Sequence, residues 1–346
     1  SAIGPDCRCS WCTRRYREDL VARQNRWTVH PVDLEEILTP ELPEVIVAAS
    51  GYEPRCTFLM GELSSRYRDN GLEIGRRLAW ISFSNHKDLP SRQEADRIFE
   101  RLQPRWRLEV STDEGIKVRQ FLDQVVASCG VERPRVLIDY SAMSRMLYLS
   151  ALDISHEVGS LIYSYSIGRY DKVGYDDFPI STVGTIRGVP GLEGLPYVNR
   201  PRLYVFGLGF DGVGVKALID RLEVGRRVVV YWADPGAFAS AASVTVNNNQ
   251  KLIEKALVAF SVDLHDVRGA ARMLEEVCLH VEHTDKVLIV PVGPKPLILA
   301  AAIVAAQYDH VTLLAPHLSG GGVKSKLPII EANGALVITK LHRSSA

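Results

Sequence analysis

Short apolar runs, each breaking into small and polar residues and followed by helical spacing, recur along the chain. Residues 45–49 read as a strand buried on both faces, ending at Ser50-Gly51, with a helix over 55–70. Residues 78–84 give a second strand and 107–110 a short third, with helices over 93–102 and 113–128. A strand at 136–139 leads into a helix running through 155, and 161–165 is the next strand. Residues 168–200 are rich in Gly and Pro and read as a linker. The series then restarts. It gives a strand at 202–207, a helix over 214–222, a strand at 227–232 and helices over 248–260 and 270–280. A strand at 286–290, a helix over 297–307 and late strands at 311–314 and 335–339 complete it.

Alternating strands and helices predict an α/β protein with mostly parallel sheets. The two series also match in kind. Gly51-Tyr52-Glu53 answers Gly209-Phe210-Asp211, and the run Asp139 to Arg145 answers Val290 to Pro296. The expected architecture is therefore two tandem Rossmann-like lobes related by internal duplication, 41–198 and 199–346, behind an Arg- and Cys-rich extension over 1–40.

The 346 residues are enough for two domains, and the hydrophobic and charged fractions, 46% and 24%, are those of a globular chain. Lys plus Arg equals Asp plus Glu, which argues against bulk nucleic-acid binding and leaves only the basic N-terminal arm for such a contact. No apolar run is long enough to span a bilayer and no signal-peptide core is visible, so a cytoplasmic protein with no membrane contact is expected. Cys7, Cys9 and Cys12 crowd together and can hold Zn if His30 or Cys56 supplies a fourth ligand; otherwise they are reduced surface thiols.

Candidate chemistry gathers where strands end. Asp139-Tyr-Ser-Ala-Met-Ser-Arg145 carries hydroxyls at Ser141 and Ser144 and a cation at Arg145. The echo, Val290 to Pro296, has Gly293 and Lys295. A strand, a tight turn with a cation and a helix start suit a phosphate, because the helix N-terminus offers free N–H groups. The alternative is a helix start capped by Ser144, with Arg145 exposed. Gly207-Leu-Gly-Phe-Asp-Gly212 fits a dinucleotide fingerprint, with Asp234 as the acid ending the next strand; a tight strand-to-helix turn explains it equally. The ligand residues expected between the lobes are Ser50, Gly51, Glu53, Asp139, Ser141, Ser144 and Arg145 from one, and Gly207, Gly209, Asp211, Asp234, Gly293 and Lys295 from the other. No Ser-His-Asp set, Walker A loop or histidine metal motif is present in the sequence. The catalytic candidates are Glu53 and Asp211, which hold matching places and can pair as general acid and base, bind ribose hydroxyls or cap helices.

Asp139 to Arg145 resembles the Asp-x-Thr-Gly-Gly-Thr-Lys turn of CARF domains, the Rossmann-like sensors of cyclic oligoadenylates in prokaryotic antiviral systems. Val292 to Leu297 looks like a second, degenerate version. Two such lobes in one chain resemble a SAVED domain. The resemblance implies a sensor or regulatory subunit that binds a cyclic oligonucleotide or NAD-derived nucleotide and acts with a separate effector. The alternative is a hydrolase that cleaves the nucleotide at a phosphodiester or glycosidic bond with paired carboxylates.

Overall fold

The computed structural model describes residues 27–39, 42–154, 157–170, 181–320 and 329–343, with backbone alone at 181–182 and 318–320. Two mostly parallel sheets organise it. The first contains β1 (Trp27–Pro31), β2 (Val45–Ser50), β3 (Leu78–Phe83), β4 (Trp106–Val110), β5 (Arg135–Asp139), β6 (Ser160–Gly168) and β13 (Ala332–Arg343), in the order β1-β13-β6-β5-β2-β3-β4. The second contains β7 (Ser181–Gly188), β8 (Arg202–Gly207), β9 (Val228–Ala233), β10 (Val258–Val262), β11 (Lys286–Pro291) and β12 (Val311–Gly320), in the order β10-β9-β8-β11-β12-β7.

Within each sheet the five parallel strands run third, second, first, fourth, fifth. That is the order of a Rossmann-type sheet, and it occurs twice. The chain is thus α/β with two Rossmann-like lobes in a duplicated arrangement. The sixth strands are exchanged. β7 follows β6 in the chain but pairs antiparallel with β12 of the second sheet. β13 follows β12 but pairs antiparallel with β6 of the first. Chain order therefore crosses between the lobes twice, and β7 and β13 lie on opposite sides of the expected 198/199 boundary from the sheets they complete.

Burial follows the pleat. Along β2, Val45, Val47 and Ala49 face a core shared by both lobes, while Ile46 and Ala48 face a separate cluster with Leu59, Leu63 and Phe99. The second sheet divides likewise, with Val205 and Ile289 inward and Tyr204, Phe206 and Val290 on its own outer cluster. The shared core joins Ile138 and Tyr163 of one lobe to Val287 and Leu299 of the other. Helix Lys295–Gln307 runs through that core, with every residue from Pro296 to Ala305 buried. A helix apolar all round has no solvent face, and this one packs against helix Val267–Leu279, helix Arg145–Leu149 and β12. No helix among the described residues is long and apolar enough to cross a membrane.

The helices, named in chain order, are α1 (Leu34–Leu38), α2 (Phe58–Asp69), α3 (Pro90–Arg101), α4 (Gly115–Ser128), α5 (Arg145–Leu149), α6 (Gly212–Arg221), α7 (Ala241–Ile253), α8 (Val267–Leu279) and α9 (Lys295–Gln307). Four expectations need correction. The helix expected over 248–260 ends at Ile253, and Val258–Val262 is β10, an edge strand. The linker 168–200 contains β7. The helix expected through 155 is one short α5 followed by a 3-10 turn, Ser150–Asp153. The extension 1–40 is not all appendage: β1 pairs with β13 and α1 follows it, capped by Asp33.

Candidate functional site

The first and fourth strands of each lobe are neighbours whose chains leave in opposite directions, which opens a crevice at their carboxyl ends. The turns there touch within each lobe. A Cβ on Gly51 would lie 2.8 Å from the Ala142 Cβ, and one on Gly293 would lie 2.5 Å from the Leu208 carbonyl oxygen. Only glycine permits these approaches.

The two cations cross between lobes. Arg145 at the start of α5 donates from Nη1 to the Pro291 carbonyl, 2.9 Å away at the end of β11. Lys295 at the start of α9 donates from Nζ to the carbonyls of Tyr140 (3.2 Å) and Ser141 (2.6 Å), just past β5. Each lobe thus sends its cation to the fourth-strand end of the other. Burial presses the Lys295 ammonium down to about 7; Arg55, and to a lesser degree Arg145, push the same way, while Glu53 and Asp139 oppose.

Two cavities meet at these residues. The larger, about 600 Å³, lies on the second lobe's crevice and reaches the β7–β12 pair through Thr185, Arg187 and His317. The smaller, about 300 Å³, lies on the first lobe's crevice, walled by Gly51, Tyr52, Glu53, Asn85 and His86. Arg55, Thr112, Ser144 and Lys295 line both and form the neck between them. Volumes of this size suit small-molecule ligands.

Of the expected ligand residues, the structure brings Gly51, Glu53, Ser144, Arg145, Gly209, Gly293 and Lys295 to these walls. The others are outside them, each with an internal task or in solvent. Ser50 donates to Asp96 (2.5 Å) and accepts from the Trp80 indole (3.0 Å). Asp139 is buried; its Oδ1 accepts from the Ser141 amide (3.0 Å) and hydroxyl (2.5 Å), and that hydroxyl accepts from the Ser166 amide (2.8 Å). Burial raises the Asp139 carboxyl to about 6 against the pull of Ser141, Lys295 and Arg55, and Oδ2 has no hydrogen-bond partner among the described residues. Gly207 packs under Tyr231 and Gly212 against Asn248, so two fingerprint glycines serve close packing. Asp234 is exposed.

Ser144 does not cap α5 with its side chain; its hydroxyl donates to the Thr112 carbonyl. Asp211 does cap, accepting from the Gly214 amide at 2.7 Å at the head of α6. Glu53 instead holds Arg55 at 2.6 Å, and Arg55 reaches the Tyr165 hydroxyl at 2.7 Å. Glu53 lines the smaller cavity and Asp211 lines neither, so the expected carboxylate pair is not assembled in one cavity. Cys7, Cys9 and Cys12 lie outside the described residues. Cys56 is buried, and burial lifts its thiol to about 12 against the hydrogen bond it gives the Gly51 carbonyl; the His30 ring lies edge-on to His342.

Sequence reasoning missed Arg55, Thr112, Tyr165, Tyr170, Arg187 and His317. Arg55 had a visible signal, a cation four residues after Gly51 in the first turn. Arg187 and His317 had none, because their meeting depends on the exchanged strand. Comparison with models of known protein families, and with curated proteins, gives no match to this chain.

Proposed function

We propose that the protein binds a nucleotide-like ligand in the crevice between its lobes, as a cytoplasmic sensor or regulatory subunit of a prokaryotic antiviral system that signals to a separate effector. The ligand class is a cyclic oligonucleotide or an NAD-derived nucleotide. One observation carries the binding part of this reading: two cavities at the carboxyl ends of both sheets joined by a neck that holds Arg55 and Lys295, with Arg145 on the wall of the larger. Cations at such a neck, Arg55 buried and Lys295 half-buried, suit phosphate, since desolvated charge-assisted hydrogen bonds are the strong ones. The sensing role rests on the resemblance of the Asp139 to Arg145 turn to that of CARF domains.

Binding is favoured over hydrolysis by the state of the wall carboxylates. Glu53 is tied to Arg55, and Asp113, on the larger cavity, accepts from the Ser111 hydroxyl at 2.8 Å. A general base needs freedom to take a proton at the reacting atom. The test is calorimetry with cyclic oligonucleotides, NAD and ADP-ribose, followed by chromatography of the recovered ligand. At least one should bind and return intact. Turnover that disappears in Glu53→Gln would replace the sensor by a hydrolase.

A further inference from the structure

The duplication makes the strand order of the two lobes alike but not their cavities. The larger presents aromatic rings from both lobes: Tyr165 and Tyr170 from the first, Phe210 from the second. Phe238 packs against Tyr170 and Phe210, with ring centroids 5.4 and 5.6 Å apart, so rings of both lobes form one cluster at this cavity. Flat aromatic walls in a cavity of this size suit a planar heterocycle, since stacking needs only a π-face.

The smaller cavity is built for something else. Beyond the neck residues Arg55 and Lys295, its cation is Arg92, which is committed: its guanidinium donates to Asp96, to the Asn85 carbonyl and to the Phe83 carbonyl at 2.9, 3.1 and 2.9 Å. Its carboxylate, Glu53, meets Arg55 through Oε2, and its other oxygen is an acceptor for hydroxyls. Beside Glu53 stands the exposed Asn85, whose amide both donates and accepts. At half the volume of its neighbour, with Glu53 and Asn85 on its wall past the neck, it has room and acceptors for a neutral polyhydroxyl group. Between the two lies the neck, where Lys295 has used two of its three N–H groups on carbonyls.

We infer that the ligand is asymmetric, a nucleoside diphosphate carrying a sugar: base in the larger cavity, phosphates at the Arg55–Lys295 neck, terminal sugar hydroxyls against Glu53 and Asn85. This rests on the nucleotide reading above and narrows it, since a ligand with two equal halves would leave the difference between the cavities unused.

The experiment is calorimetry of the full chain with ADP-ribose, ADP and a symmetric cyclic dinucleotide, repeated with Asn85→Ala, Glu53→Gln and Phe210→Ala. ADP-ribose should bind at least about tenfold more tightly than ADP, a step of roughly 1.4 kcal/mol. Asn85→Ala, at an exposed position that no core packing depends on, should shrink that ratio, and Glu53→Gln should shrink it further. Phe210→Ala should weaken both ligands together and leave the ratio in place. Equal affinity for ADP and ADP-ribose, a ratio untouched by Asn85→Ala, or a preference for the symmetric dinucleotide would overturn the inference while leaving nucleotide binding intact. Failure of all three nucleotides to bind would remove both.

Discussion

Cut between residues 198 and 199, the protein should give two halves that do not fold alone and that fold when produced together. The N-terminal half keeps β7 but loses its partner β12, and it loses β13, the 12-residue strand that lies between β1 and β6. The C-terminal half keeps β13 without β6 or β1 and loses the strand that covers β12. Each half would also expose its share of a core that contains Ile138 and Leu299 together, and α9 would lose the neighbours that bury its lobe-facing side. Unpaired edges and exposed apolar surface drive aggregation. Separately produced halves should therefore be insoluble or lack a cooperative transition by circular dichroism, whereas co-expressed halves should copurify as one species melting in a single step. A soluble, cooperatively melting half would show that the strand exchange is dispensable.

Lys295→Met should weaken binding of a phosphate-bearing ligand by on the order of ten- to a hundredfold, the range for loss of a hydrogen bond to a charged group. It should also flatten two pH profiles. The folded value of about 7 lies below the ordinary 10.5 of a lysine. The unfolded chain therefore binds the extra proton between these values, and stability rises with pH across that window; below about pH 7 the buried charge is a cost. Methionine carries no such charge, so the rise should vanish. A bound phosphate acts in the opposite sense. It favours the ammonium, so binding takes up a proton and affinity should fall as pH rises above about 7. Arg55, Glu53, Asp139 and Arg145 face the same amine and shift its midpoint without changing the sign. Calorimetry in buffers of different ionisation enthalpy reads the proton directly. Affinity independent of pH between about 6 and 9, or unchanged in Lys295→Met, would take Lys295 out of the site.

The central strands were legible because a parallel strand covered on both faces leaves an unbroken apolar run, as in β2, β5, β9 and β11. β10 was not, because an edge strand exposes Val258, Ala259 and Ser261 and so continues the pattern of the helix before it. β7 was hidden for a different reason. Its pairing is decided by β12, more than a hundred residues away, and nothing local in Ser181–Gly188 names that partner. The same limit applies to the site. The turns after β2, β5, β8 and β11 announced themselves by glycine, acid and cation. What each group touches did not follow: Ser50 and Asp139 turned inward to satisfy buried neighbours, while Arg145 and Lys295 reached across to carbonyls of the other lobe. The inequality of the two cavities arises from loops and exchanged strands that the duplication does not copy.

Photolabelling tests the central claim most directly, because it locates the ligand. An azidoadenine nucleotide bound to the intact protein should attach to peptides carrying Tyr165 to Tyr170 or Leu208 to Phe210, on the walls of the larger cavity. Excess unlabelled nucleotide should prevent the attachment, and Lys295→Met should reduce it. Attachment confined to peptides outside both cavities, or insensitive to competitor, would contradict a nucleotide site between the lobes.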